Sequence, residues 1–201
     1  MESIALECPL PGSTASLDAC RRGDRHALDA FFRAEIPALQ RLIARLIGPS
    51  GDLDDLLELT LIAAMDAFPR YRGEASPQRW LTRIAVNIVY QEFRRPERRR
   101  RVALELVPSD ALIDHRPLPD RTLEGRARVR RLYQLLDKIP PKKRIPFVLH
   151  VFEGRPIDEV AAIVGASVMA TKSRIFWARR SLLAHARRDP SLRELFDQEA
   201  P

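Results

Sequence analysis

The chain has 201 residues, which is room for one ordinary domain or two small ones. Apolar residues make up 45% and charged residues 30%, enough for small packed cores and too polar for a membrane protein; no apolar run approaches the roughly 18–20 residues that span a bilayer. The net charge of +7 is unevenly spread: residues 126–190 carry fifteen basic side chains against five acidic ones, whereas residues 1–93 carry ten against thirteen. A compact basic segment is the footprint of a polyanion binder, although a solvated basic face has the same composition.

Taken in order, the chain reads as helix after helix, with no alternating run long enough for a strand. Residues 1–11, with Pro9 and Pro11, form a leader expected to be flexible. Ser16 is a candidate cap for a helix starting near Leu17. Leu28, Phe31, Phe32, Leu39, Leu42, Ile43, Leu46 and Ile47 then recur at helical spacing, with Pro37 predicted to kink the stretch or start a new helix. Gly48-Pro49-Ser50-Gly51 breaks it. Asp52 or a neighbour caps a helix over Leu53–Phe68, whose early acids Asp54, Asp55 and Glu58 suit the positive end of a helix dipole. Pro69 stops it. Ser76-Pro77 opens a helix to about Arg95, closed by Pro96.

Residues 97–125 hold Pro108, Pro117 and Pro119 and no sustained helical period, and are the linker candidate. Helical patterning resumes at Arg126 and runs to about Ala186, punctuated by Pro140-Pro141 and Gly154-Arg155-Pro156. Phe147–Phe152 reads as ordinary helix. The expected organisation is all-α: one helical domain over 12–96, a flexible linker over 97–125, a second helical domain over 126–190 and an acidic tail over 191–201.

Two segments carry recognition chemistry. On the helix from Pro77, Trp80, Leu81, Ile84, Ala85, Ile88 and Val89 form an apolar stripe. Arg83, Asn87, Tyr90 and Arg94 share the opposite face at spacings of four, three and four. Two guanidinium groups, an amide and a ring together can hold phosphate, bond a base edge and stack on a base, though an ordinary exposed face can carry the same residues. In the C-terminal third, Ile157, Val160, Ala161 and Val164 line a short amphipathic helix and Gly165 ends it in the left-handed region. Ser167 caps a second helix over about Val168–Ala186, with Thr171, Ile175, Ala178 and Leu182 inward. Lys172, Ser173, Phe176 and Trp177 point away, flanked by Arg174, Arg179 and Arg180. A short helix, a glycine turn and a longer basic helix make the helix-turn-helix pattern, whose second helix fits a major groove.

No chemistry of bond making is legible. There is no nucleophile–base pair, no Walker loop and no metal-ligand spacing, so no catalytic residue, metal or cofactor is assigned and no small-molecule substrate is expected. The four histidines, His26, His115, His150 and His185, are scattered. Cys8 and Cys20 are too few for a disulfide framework and read as reduced thiols of a cytoplasmic protein without a signal peptide or membrane insertion.

With these motifs in order, the chain resembles the bacterial sigma-70 family, specifically the small extracytoplasmic-function (ECF) sigma factors, over about Leu17–Arg188. The resemblance rests on Asp55-Leu56-Leu57-Glu58, on Phe68-Pro69-Arg70-Tyr71-Arg72-Gly73, on Trp80-Leu81-Thr82-Arg83-Ile84-Ala85-Val86-Asn87 and on Arg94-Arg95. In the second half it rests on Leu136-Asp137-Lys138-Ile139-Pro140 with Arg144, on Glu159-Val160-Ala161 and on Lys172-Ser173-Arg174 with Ala178-Arg179. It implies a dissociable subunit that binds core RNA polymerase and confers promoter choice. Asp54, Asp55 and Glu58 would face the clamp of the largest polymerase subunit. Arg83, Asn87, Tyr90, Arg94 and Arg95 would serve the −10 element, with Asn87 holding a flipped base. Ser167, Lys172, Ser173, Arg174, Phe176, Trp177 and Arg179 would read the −35 element from a domain seated on the β flap. An anti-sigma factor is a further implied partner. Glu58, Leu59 and Leu61 depart from the family's pattern, as do Met169-Ala170-Thr171 and Trp177; the last two imply an unusual −35 sequence. The competing expectations are a stand-alone helix-turn-helix regulator, which has no use for the Trp80–Asn87 set, and a degenerate sigma-like module that occupies polymerase without opening promoters.

Overall fold

The structure, a computed structural model, describes residues 14–48, 52–94 and 123–189, and all regular structure among them is helical. The leader, the linker up to residue 122, Arg95, Pro96 and the acidic tail lie outside the described residues. The first half contains α1 (Thr14–Arg21), α2 (Arg25–Ile47), α3 (Leu53–Ala67), a 3-10 turn (Phe68–Arg70) and α4 (Pro77–Arg94). The second contains α5 (Leu123–Asp137), α6 (Pro141–Phe147), a π-helical turn (Val148–Phe152), α7 (Ile157–Val164) and α8 (Val168–Ala186). No described helix is long and apolar enough to cross a membrane.

Local chemistry explains most boundaries. The Asp24 carboxylate accepts from the amides of His26 and Ala27 at the start of α2. Ser76 Oγ accepts from Arg79 N at the start of α4, with Pro77 in the first turn. Asp52 stands at the N-cap of α3 without a side-chain cap bond. Three readings need correction. The first helix begins at Thr14, so Ser16 lies inside it. Of the two readings of Pro37, the start of a new helix is overturned, since α2 runs through it for 23 residues; Pro37 and Arg33, whose carbonyl loses its helical donor, are both exposed, so water can serve the freed group. Val148–Phe152 is a wide π turn closed by Glu153 N donating to Val148 O at 3.1 Å, a difference in pitch that five residues of apolar pattern do not encode.

Two cores stand at opposite ends. In the first half, Phe31, Phe32, Phe68, Tyr71 and Trp80 stack mostly edge to face with centroids 5.1–6.2 Å apart, joined by Cys20 and Leu81. Burial raises the Cys20 thiol above its usual range, with Asp24 adding to the effect. In the second half, Leu135, Leu136, Ile139, Phe147, Ala178 and Leu182 pack together.

A third core joins the halves, combining Leu39, Leu42, Ile43 and Leu46 of α2 and Val86 and Val89 of α4 with Ile145, Val148, Leu149, Val160 and Ile163. Residues 82, 86, 89 and 93 form a second stripe on α4, spaced four, three and four. Its ends touch the second half: Thr82 Oγ1 accepts from Arg155 Nη2 at 3.0 Å, and the Arg144 guanidinium lies 4.2 Å over the Phe93 ring. Arg144 also pairs with Asp137; its burial pushes its pKa down, against the upward pull of that carboxylate. Arg45 of α2 pairs with Glu153 across the seam, both largely buried. The seam also explains why Ile163 is buried, where amphipathicity alone placed Ile157 and Val164 inward; both are half-buried.

Removing one partner of the Arg45–Glu153 pair leaves a charge stranded in the seam. Glu153→Leu is expected to lower unfolding stability by about 3 kcal/mol, and Arg45→Met with Glu153→Leu by clearly less, read by denaturant titration of all four cycle members. Burial also raises the phenols of Tyr90 and Tyr133 to about 12 each. The unfolded chain's tyrosines titrate near 10, so their contribution is whole below about pH 10 and is lost as the pH climbs towards 12. The unfolding midpoint should therefore drop over that window, and the Tyr90→Phe, Tyr133→Phe double variant should flatten the drop.

Candidate nucleic-acid and polymerase interfaces

The first candidate surface is built around α4. Its apolar stripe against α2 and α3 fixes the rotation of the helix, which leaves Arg83, Asn87 and Arg94 exposed. Tyr90 shares their angular sector but is half-buried; it packs against the central core, and Arg174 of α8 is near enough to pull its pKa down against the larger effect of burial. Arg95 lies outside the described residues.

Beside Arg83 a cavity of about 470 Å³ opens between the 70–76 segment, the start of α4 and α7. Arg70, Arg72, Arg79 and Arg83 surround it, with the rings of Tyr71 and Trp80 in its wall and Glu74 as its one acid. Ala162 and Ile163 close the side towards the second half. Four arginines around the half-buried Trp80 suit an anionic, planar ligand: the cations hold phosphate and the indole offers a stacking face, while Tyr71 is buried behind it. Reading the sequence assigned Arg83 here but missed Arg70, Arg72 and Arg79. The alternation Arg70-Tyr71-Arg72 was the available signal; helical periodicity is blind to it because the segment is not helical.

The second surface is the helix-turn-helix. Gly165 ends α7 at φ 63 and ψ 44, the left-handed conformation that favours glycine. Ser167 caps α8, its Oγ accepting from Ala170 N at 3.2 Å, and Thr171 Oγ1 bonds the Ser167 carbonyl at 2.9 Å. Thr171, Ala178 and Leu182 are buried and Ile175 half-buried, which turns Lys172, Ser173, Phe176, Trp177 and Arg179 outward with Arg174 at the edge. Phe176 and Trp177 are 58% and 47% exposed and stack edge to face at 5.6 Å. Arg180 lies 5.5 Å and Lys143 6.0 Å from the Trp177 ring centre, so the ring's rim is cationic. Lys143 escaped the sequence reading because it comes from α6 rather than α8; Met169, which stood there only as part of the departing Met169-Ala170-Thr171, is 75% exposed.

The third surface is the outer face of α3. Leu56, Leu57, Thr60 and Ala64 are buried and leave Asp54, Asp55 and Glu58 in solvent. The same face exposes Leu59, Ile62 and Met65, the latter two at about half. An apolar ridge rimmed by carboxylates is the composition of a protein-docking patch rather than of a solvated helix. Sequence patterning had picked out its acids and not Ile62 or Met65. Among the described residues no cluster of three or more His, Cys, Asp or Glu side chains could hold a metal.

Comparison with known proteins gives the family. Residues 31–100 match the family description Sigma-70 region 2, and residues 129–182 match Sigma-70, region 4. The ECF RNA polymerase sigma factor SigC of Mycobacterium tuberculosis is 30% identical over 176 residues, 88% of this chain and 92% of that protein. The ECF RNA polymerase sigma-E factor of Salmonella typhimurium is 26% identical, covering 83% and 90%. Among solved structures, CnrH in complex with the cytosolic domain of CnrY aligns with a TM-score of 0.58 and 24% identity over 92% of this chain and 97% of that one. The sigma factor RpoE of Bartonella quintana, in complex with the anti-sigma factor NepR, aligns with a TM-score of 0.55 and 22% identity over 75% and 91%; at these identities the two structures speak for the fold. With both regions matched in order and relatives similar over nearly their whole length, the chain belongs to the sigma-70 family, among its extracytoplasmic-function factors: a subunit without catalysis of its own that binds RNA polymerase and directs promoter recognition.

Proposed function

We propose that the three surfaces divide the work of initiation. The outer face of α3, with Asp55, Glu58 and the Leu59–Ile62–Met65 ridge, docks on the clamp of the largest polymerase subunit. The arginine-lined cavity and the exposed face of Arg83 and Asn87 take an unstacked base and the backbone of the displaced −10 strand. The outward face of α8 reads the −35 duplex, Lys172 and Ser173 offering polar contacts and Phe176 and Trp177 an apolar surface for thymine methyl groups. The second domain, expected from 126 by sequence but opened by α5 from Leu123, sits on the β flap, with residues 97–122 as its tether to the first, 12–96. The observation that carries the reading is the part of the cavity lining that belongs to the half matching region 2: Arg70, Arg72, Arg79 and Arg83 around Trp80, a set that stays together when Ala162 and Ile163 of the second half move away.

The closed arrangement adds a requirement. The −10 and −35 elements lie roughly 80 Å apart on B-form DNA at 3.4 Å per base pair, yet Tyr90 and Arg174 of the two proposed surfaces are close enough to interact. The halves must part before one promoter can occupy both. The 28 residues between Arg94 and Leu123 reach up to roughly 95 Å when extended, which is sufficient. An anti-sigma partner, of the kind held by the Bartonella quintana factor, then has an obvious mode of action in keeping the halves from parting.

The test is co-elution of the purified chain with core polymerase, followed by run-off transcription from a promoter pool. Asp55→Lys and Ile62→Glu should each weaken polymerase binding at least tenfold while leaving duplex binding by the isolated chain unchanged. Binding of promoter duplex with no affinity for polymerase would instead favour a stand-alone regulator; polymerase binding without transcripts would favour a degenerate module. In the polymerase complex, Asn87→Ala should cost about tenfold in affinity for a single-stranded −10 oligonucleotide, and Trp177→Ala a similar factor for −35 duplex only.

A further inference from the structure

We propose that Arg21 of α1 is a positioning residue for the −10 strand, holding the 70–76 segment in the shape that makes the cavity. The proposal rests on the reading of that cavity as a base-binding pocket and deepens it. Helix α1 lies outside the residues matched as region 2, which begin at 31. Arg21 nonetheless reaches fifty residues along the chain: its Nε donates to the Tyr71 carbonyl at 2.8 Å, and its guanidinium carbon lies 5.4 Å from the Tyr71 ring centre. Its Nη1 is anchored on Asp18 at 2.8 Å. Its Nη2 lies 2.9 Å from where a β-carbon on Gly73 would stand, and Gly73 has φ +76. One guanidinium thus touches the segment at its start and at its bend.

The segment needs such a brace. Between the 3-10 turn and α4 it has no ladder or helix of its own, and its Tyr71 hydroxyl is turned back onto the Ala75 carbonyl. Tyr71 is the hinge of this arrangement. Its ring is buried, 5.1 Å from Trp80 and 5.7 Å from Phe68, and its carbonyl receives the Arg21 bond. Arg70, Tyr71, Arg72, Glu74 and Ala75 all line the cavity, so loss of the brace frees one wall while leaving Arg79, Arg83 and Asn87 on α4. A charge-assisted bond to a carbonyl is strong enough to hold a short segment, and a base-binding wall displaced by an ångström loses most of its contacts.

The experiment uses the full chain bound to core polymerase and a single-stranded −10 oligonucleotide, with an abasic site moved through each position in turn. Wild type is expected to show one position where the missing base costs about tenfold. Arg21→Ala should shrink that penalty to about threefold or less, Arg21→Lys, which keeps one donor, should fall between, and affinity for −35 duplex should not change. A general loss of stability would weaken every oligonucleotide alike and leave the penalty intact. Amide exchange of residues 72–76 in the free chain should quicken in Arg21→Ala and in Asp18→Asn, which removes the Nη1 anchor. An unchanged penalty in Arg21→Ala, or unchanged exchange in both variants, overturns the brace. Absence of any abasic penalty in wild type overturns the pocket reading and the brace with it, an outcome distinguishable because there the parent chain fails too.

Discussion

Val86 is wholly buried, and so is Val89 one turn on, although they stand on a stripe of α4 whose two ends, Thr82 and Phe93, are in contact with the second half of the chain. Helix α4 is covered on two sides, by its own bundle and by the α6–α7 corner. Each buried valine is worth about 2 kcal/mol of removal from water, and the two charged groups at the margins, Arg144 and Arg155, spend their guanidinium groups on a phenyl face, carboxylates and a threonine hydroxyl rather than on solvent. The exposure of Arg83, Asn87 and Arg94 follows from that seating, because once two sectors of α4 are buried the exposed remainder is the line through these three.

The electrostatics of the molecule are local rather than global. The first half, Thr14–Arg94, has as many acidic as basic side chains, yet it gathers Arg70, Arg72, Arg79 and Arg83 around one cavity and sets Asp54, Asp55 and Glu58 on α3. An acidic, apolar-ridged face suits a protein partner, and a cationic cavity with rings suits nucleic acid. A count over the whole half averages the two away, whereas separation on different helices lets one small domain serve both. In the second half the same segregation operates along a single helix: α8 buries Thr171, Ala178 and Leu182 and sends its lysine, arginines and aromatic rings outward.

Function in this family calls for two reading heads and a way to keep them apart or together. The seam is made of modest parts, namely a cross-half ion pair, a guanidinium over a ring, one side-chain hydrogen bond and an apolar patch shared by α2, α4, α6 and α7. Interfaces of this mixed polar and apolar kind are typical of domains that move relative to one another.

How much of this was legible beforehand depended on whether the determining physics was local. The caps at Ser76 and Ser167, the left-handed Gly165 and the inward stripe of α8 stand as the sequence reading placed them, because each is decided within a turn or two of helix. The order of motifs likewise identified the family. Apart from the π turn and the start of α1, what the reading lacked depends on residues far apart. Thr82, Val86 and Ile163 are buried where the two halves meet. Tyr90 is withdrawn from its exposed sector at the same seam, and Arg70, Arg72 and Arg79 converge only through the fold of a non-helical segment. The sequence by itself determined the helices, their caps and the chemistry of their faces, since those follow from short-range sterics and periodicity. Tertiary structure alone decided which polar and apolar faces meet, because burial is a property of the partner surface and not of the helix that carries it.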